Sequence, residues 1–315
     1  MPEPRLRQAV HQLWLPAGSN GAAVEQLVVS RCPGSVRTED GLSISRHSSL
    51  VFPACGARGA LVWTARTLRE RDEPVRPGRT DPDGLYRVFA QGMPLREERR
   101  VVDLLLGLAR RLGGGLLVDV DENGGRPLPV DPLARIDLRV LSMEQLSPEM
   151  VRAAVVTHEP TARLAMDGVE WEGPLVDRSG DPGALVARMS AQELARVDAV
   201  CSASDARALA HGDVLDAYAL EIDLDADGVL VVEAHAEDDP PPQVLALGWT
   251  DVVAYDVRWV ARDETEAESD VPDERHCAAR AAVRPRLHLV ARTLVEMASG
   301  MVLDASGFVV DRYEL

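Results

Sequence analysis

The chain has 315 residues, enough for two domains with a core each, and carries 34 basic against 51 acidic side chains, a formal charge of −17. Phosphate backbones and anionic lipid surfaces are gripped by clustered cations, so this balance argues against nucleic acid and membrane and favours a basic protein partner or a divalent cation. Every basic side chain is arginine, which removes Schiff-base chemistry, the P-loop lysine and the kinase strand lysine from consideration.

In chain order, the spacing of Leu6, Ala9, Val10 and Leu13 predicts a short helix, and Gln26–Ser30 a strand. Gly59–Arg66 follows a glycine turn and reads as a strand, Arg69–Gly84 with its three prolines as a loop, and Leu85–Ala90 as a further strand. Val101, Val102, Leu105, Leu108, Ala109 and Leu112 form the stripe of a long amphipathic helix over Arg96–Leu112. Gly113-Gly114-Gly115 ends it, because glycine takes the left-handed cap without steric cost. A hairpin follows, Leu116–Val118 and Pro127–Val130.

The second half repeats much of this order. Tyr218–Leu224 and Val229–Ala234 predict a hairpin, Val252–Ala261 a strand, and Pro285–Ala298 a helix with proline in its first turn. Met301–Leu303 with Phe308–Val310 close as a hairpin. The letters repeat as well: Leu104–Asp119 against Leu289–Asp304, Gly59-Ala-Leu-Val against Gly228-Val-Leu-Val, and Arg87-Val-Phe-Ala against Arg258-Trp-Val-Ala, at offsets of 185, 169 and 171 residues. A second Gly-Ala-Leu-Val at Gly183 fits the spacing less well. The expectation is an α+β protein of two duplicated lobes, 1–132 and 133–315, each an antiparallel or mixed sheet with a long helix on one face. Residues 143–215 are read as a helical elaboration of the second lobe, with helix starts at Ser147-Pro148-Glu149 and Ser190–Glu193, and 263–274 as a solvated acidic loop.

Two acidic turns are the best candidates for chemistry. Asp119, Asp121 and Asn123, and again Asp223, Asp225 and Asp227, stand at alternate positions before a glycine, the first half of a calcium loop. The glutamate that would complete each loop is absent: Val130 and Ala234 stand in its place. Hairpin turns therefore outweigh calcium as the reading, since Asn-Gly and Asp-Gly suit the hairpin twist.

The cysteines Cys32, Cys55, Cys201 and Cys277 lack zinc spacing, and no histidine pair has it either. His276-Cys277 reads as an exposed histidine beside a half-buried thiol. Trp63 and Trp259 are expected to anchor the two cores, and Trp171, set among acids, to be an exposed partner contact. With no apolar leader or spanning run, a cytoplasmic location is expected. The sequence leaves three functional readings. First comes a non-catalytic binding or regulatory protein with an acidic surface for a basic protein. The others are a lysine-independent, hydrolase-like enzyme with a carboxylate or histidine site between the lobes, and a calcium-stabilised module.

Overall fold

The structure, a computed structural model, describes residues 7–165, 190–193, 195–196, 199 and 217–315. Trp171, Gly183, Cys201 and much of 143–215 lie outside the described residues. The reciprocal cap read at Ser190–Glu193 is present: Ser190 N donates to Glu193 Oε2 at 2.7 Å and Glu193 N to Ser190 Oγ at 3.3 Å.

The first lobe runs β1 (Gln8–Leu15), α1 (Gly21–Arg31), β2 (Val36–Arg37), β3 (Gly41–Ser43), β4 (Ser49–Cys55), β5 (Leu61–Leu68), α2 (Leu85–Val88), α3 (Arg96–Leu112), β6 (Gly115–Asp121) and β7 (Gly124–Leu128). The second runs β8 (Leu138–Ser142), α4 (Pro148–Val156), β9 (Arg163–Leu164), β10 (Ala217–Asp223), β11 (Val229–Ala236), α5 (Pro242–Leu245), β12 (Val253–Val260), α6 (Glu264–Ala267), α7 (Glu274–Ala298), β13 (Met301–Asp304) and β14 (Val309–Val310). Each lobe has a 7-stranded sheet, β2-β3-β4-β5-β1-β6-β7 and β9-β10-β11-β12-β8-β13-β14. All named neighbours pair antiparallel.

Written in that direction the two sheets have one topology. A strand is followed by a helix and a four-strand meander that returns to pair with it; the long helix then crosses, and a hairpin pairs on the strand's other edge. Helices α3 and α7 thus occupy the same place, as their shared stripes predict. Residues 148–164 are not additional to the repeat, because α4 and β9 are the counterparts of α1 and β2.

The details of the match depart from the letters. Gly59 leads into β5, whereas Gly228 leads into β11, the counterpart of β4; Arg87 lies in α2 and Arg258 in a strand, so neither short echo is structural. The long echo is out of step by one residue. Helix α3 ends on Gly113 and α7 on Ser299, both left-handed with φ of 68° and 51°. The next residue is glycine in each case for a steric reason: a Cβ on Gly114 would lie 2.6 Å from the Trp14 carbonyl oxygen, and one on Gly300 2.5 Å from that of Leu141.

Three local expectations are overturned by packing. Segment 8–15 is a strand, since Ala9, His11, Leu13 and Leu15 are buried at period two between β5 and β6. The Val-rich stretch after Gly21 is helix α1, capped by Asn20 and burying Val24 and Val28. Leu85–Val88 is also helical, because Asp81 accepts hydrogen bonds from Leu85 N and Tyr86 N at 3.1 and 2.7 Å. Helix α7 starts at Glu274, capped by Asp273, and passes through Pro285; the acidic segment before it contains α6.

Trp63, facing Leu13, is the fully buried centre of the first core, but its counterpart is Tyr255, facing Val140. Trp259 is only half-buried at the edge of the second core. Phe308, in the turn between β13 and β14, belongs by sequence to the second lobe yet packs in the first lobe's core, against Gly107 of α3. A Cβ on Gly107 would lie 2.7 Å from the Phe308 ring, so the glycine is the notch that admits it. The Arg31 guanidinium stands 5.5 Å from the same ring, and Arg111 pairs with Asp304 at 3.2 Å and with Glu314 at 2.9 Å.

Phe308→Ala empties a fully enclosed site and is expected to cost about 3–5 kcal/mol, read as a lower urea midpoint. Unchanged stability would show that the ring does not hold the lobes.

Candidate functional site

Phe308 and the ion pairs of Arg111 clasp the lobes together, and both lobes line a cleft of about 720 Å³ beside this clasp. Helix α3 contributes Glu97, Arg100, Val101 and Leu104, joined by Cys32 after α1 and Ser45 after β3. The second lobe contributes Arg139 of β8, Asp256 and Arg258 of β12, Gln243 of α5 and the Asp304–Gly307 turn, with Asp137 just before β8. These come to one place because strand side chains alternate: Val257 faces the core, so Asp256 and Arg258 face the cleft.

Most of the charges lining it are already paired. Arg139 grips Asp256 with two parallel hydrogen bonds, Nε to Oδ1 at 2.6 Å and Nη2 to Oδ2 at 2.9 Å, and reaches Glu237 at 2.8 Å. His235 Nε2 lies 3.2 Å from Asp256 Oδ2. Burial alone would raise the Asp256 pKa, but the hydrogen bonds from Arg139 and His235 reverse this and hold it below the usual carboxylate range. His235 is raised, first by its contact with the Ala236 carbonyl and then by Asp256. Arg258 pairs with Glu233. Glu97, though partly desolvated, is kept low by the hydroxyls of Ser45 and Ser48 and by Arg100.

Two groups are less settled. Asp137 accepts from Trp259 N at 3.0 Å, yet burial pushes its carboxyl up. Gln243, 8% exposed, donates Nε2 to the Gly307 carbonyl at 2.8 Å and leaves its buried Oε1 without a partner. Burial also raises the Cys32 thiol, which makes it a poor nucleophile. Among the described residues no histidine lines the cleft.

The acidic turns lie elsewhere, and each is a hairpin connection. Asp119 has φ of 53° and its carboxylate is taken by Arg69 at 3.0 Å and Arg71 at 2.6 Å, while Asp121 accepts from Asn123 N. Asp223 accepts from Asp225 N and pairs with Arg262 at 3.3 Å. Asp227 sits beside Trp259, whose Nε1 donates to its carbonyl. Among the described residues no three His, Cys, Asp or Glu side chains converge as metal ligands would.

Arg71 also reaches the second buried polar centre, Glu98 at the start of α3. Glu98 accepts from Arg71 Nε and Glu70 N, both at 2.9 Å, and faces His11 Nε2 at 3.3 Å. Glu98 and His11 are fully buried, so the group pins the 69–95 loop to the helix. Sequence reasoning names cleft residues such as Cys32, Val101 and Arg258 for other reasons and none as a site residue; the available signal is the outward-facing charges at alternate strand positions, Asp256 and Arg258.

Comparison with protein-family models, curated proteins and solved structures finds no match. No described helix is long and apolar enough to cross a membrane.

Glu98→Ala would leave Arg71 only Asp119 as a carboxylate partner and take from the Glu70 amide its buried acceptor, and is expected to cost about 3–5 kcal/mol, measured by denaturant unfolding; a loss under about 1 kcal/mol would refute the pinning role. For the outer network the signs oppose. The raised pKa of His235 gives a stability contribution that is complete below its ordinary 6.5 and lost as pH climbs through the folded value. The lowered pKa of Asp256 gives one complete above 3.8 and lost as pH falls through the folded value. Asp256→Asn should therefore move the NMR-titrated His235 pKa down and flatten the stability slope above pH 6.5; an unmoved His235 would contradict the pairing.

Proposed function

We propose that the chain is a non-catalytic binding protein that holds a segment of a basic protein partner in the inter-lobe cleft. The observation that carries this reading is a cleft built by both lobes, lined by apolar side chains and compensated charges, where Gln243 keeps a buried Oε1 without a protein partner. A buried acceptor without a donor costs about 1–3 kcal/mol, and a peptide N–H in the cleft would supply the missing bond once the Gln243 side chain turns outward. Val101, Leu104, Ile44 and Leu303 offer apolar contact beside it, while Arg139–Asp256 and the hydroxyl-bound Glu97 make a rim whose charges are already compensated. The excess of acidic over basic side chains, 51 to 34, steers cationic partners toward the surface as a whole.

A hydrolase-like alternative draws on Asp137, whose raised pKa suits a general acid. It lacks a paired nucleophile, since Cys32 is deactivated by burial and the hydroxyls of Ser45 and Ser48 are committed to Glu97.

Ala305 is exposed and lines the cleft, so Ala305→Trp fills it with little cost to folding. Displayed random peptides selected on the wild-type chain should be rich in basic and apolar residues, and should bind Ala305→Trp about tenfold more weakly. Peptides that bind both proteins equally would overturn the reading. Hydrolysis of any panel substrate that Asp137→Asn abolishes would replace it with the alternative.

A further inference from the structure

On the face of β12 opposite the cleft, a recess of about 550 Å³ lies where the 225–227 turn, α6 and the start of α7 meet. Its lining has five carboxylates, from Asp227, Asp263, Glu264, Glu266 and Asp273, against the guanidiniums of Arg262 and Arg275. Arg262 is already tied to Asp223 and to the Asp225 carbonyl. Asp273 caps α7, so the positive end of that helix is already met. Among the described residues the carboxylates of Asp227 and Glu264 make neither an ion pair nor a hydrogen bond.

The second observation is His276. It is 8% exposed and lines the recess, contrary to the expectation of an exposed histidine, and no hydrogen bond from the described residues reaches its ring. Burial and the nearby Arg280 lower its pKa, which keeps the ring neutral with a lone pair to offer. Its ring packs on Trp259 with centroids 5.0 Å apart and planes at 48°. A metal would need converging ligands, and none converge among the described residues. What remains is a cation that is flat enough to lie on aromatic rings, donates in several directions and pairs with carboxylates.

We propose that this recess seats the guanidinium of an arginine side chain carried by a basic polypeptide. Guanidinium is planar and weakly hydrated, stacks on indole and imidazole faces and donates to carboxylates in a fork, whereas an ammonium is a compact, strongly hydrated point charge. The seat rests on the proposed function only in taking the partner to be a polypeptide, and blocking the cleft leaves it intact.

The test is a titration of the full chain, labelled at histidine Cε1 and tryptophan Nε1, with N-acetyl-arginine methylamide followed by NMR. The probe should move the His276 and Trp259 signals saturably and bind about fivefold more tightly than the lysine equivalent. It should bind Ala305→Trp as it binds wild type. The double variant Asp227→Asn/Glu264→Gln should weaken it about fivefold, while Glu39→Gln/Glu122→Gln, equal in charge but distant in sequence, should change it less than about twofold. Equal weakening by both pairs would reduce the effect to net charge and overturn the seat. So would equal or tighter lysine binding, a preference for free L-arginine over the blocked form, or a response of His276 to zinc alone.

Discussion

The first strand of each lobe is hydrogen-bonded on both edges, and everything else in the lobe is arranged to make that possible. Strand β1 pairs with β5 and β6, β8 with β12 and β13. One partner ends the meander and the other follows the long helix, so the sheet closes only when the chain has crossed it. The crossing brings the backbone after the helix against the carbonyl of Trp14 or Leu141, where only glycine fits. Glycines Gly114 and Gly300 are thus fixed by sheet closure, and the cap before them tolerates serine at 299 because a left-handed residue there needs no such approach.

That constraint explains what could be read from the sequence. The stripes of α3 and α7 and the hairpins beside them are local patterns, and local patterns survive in letters. Strand β1 was misread because Ala9, Val10 and Leu13 also satisfy a helical spacing; only its two distant partners decide for period two. The Val-Val of α1 favours a strand by propensity, and burial of Val24 and Val28 one helical turn apart overrides it. The tetrapeptide echo at Gly59 and Gly228 misled for the opposite reason. Strands of one meander share an apolar alternation, so a short match cannot say which strand of the sheet it marks. The cleft was illegible because its lining comes from segments far apart in sequence, joined by the closure itself.

Charge follows a related logic. With arginine as the sole basic side chain, many pairs are fork-shaped: Arg139 on Asp256, Arg286 on Glu159, Arg71 on Glu98. Arg110 and Arg135 share Asp83. These arginines are spent on holding loops and helices to their sheets, so the acidic surplus is left as free carboxylates at the surface. Pairing one arginine with one carboxylate leaves the net charge unchanged, so the surplus of −17 is carried by carboxylates without such a partner. Such a surface attracts cations at range, and the cleft and the recess by Trp259 are the enclosed places where buried Gln243 and His276 stand.

The clasp between lobes and the cleft are one construction. Phe308 is anchored in the first lobe, and the Asp304 carboxylate shapes its turn by accepting from Ser306 N and Phe308 N at 2.9 and 3.0 Å. The carbonyl of Gly307 in the same turn accepts from Gln243 Nε2, so the turn and the Gln243 side chain are held together. The Asp304–Gly307 turn lines the cleft, so an occupant would lie against the segment that carries Phe308. A single buried ring, carried by the second lobe in sequence and packed in the first lobe's core, thus fixes the turn that lines the cleft.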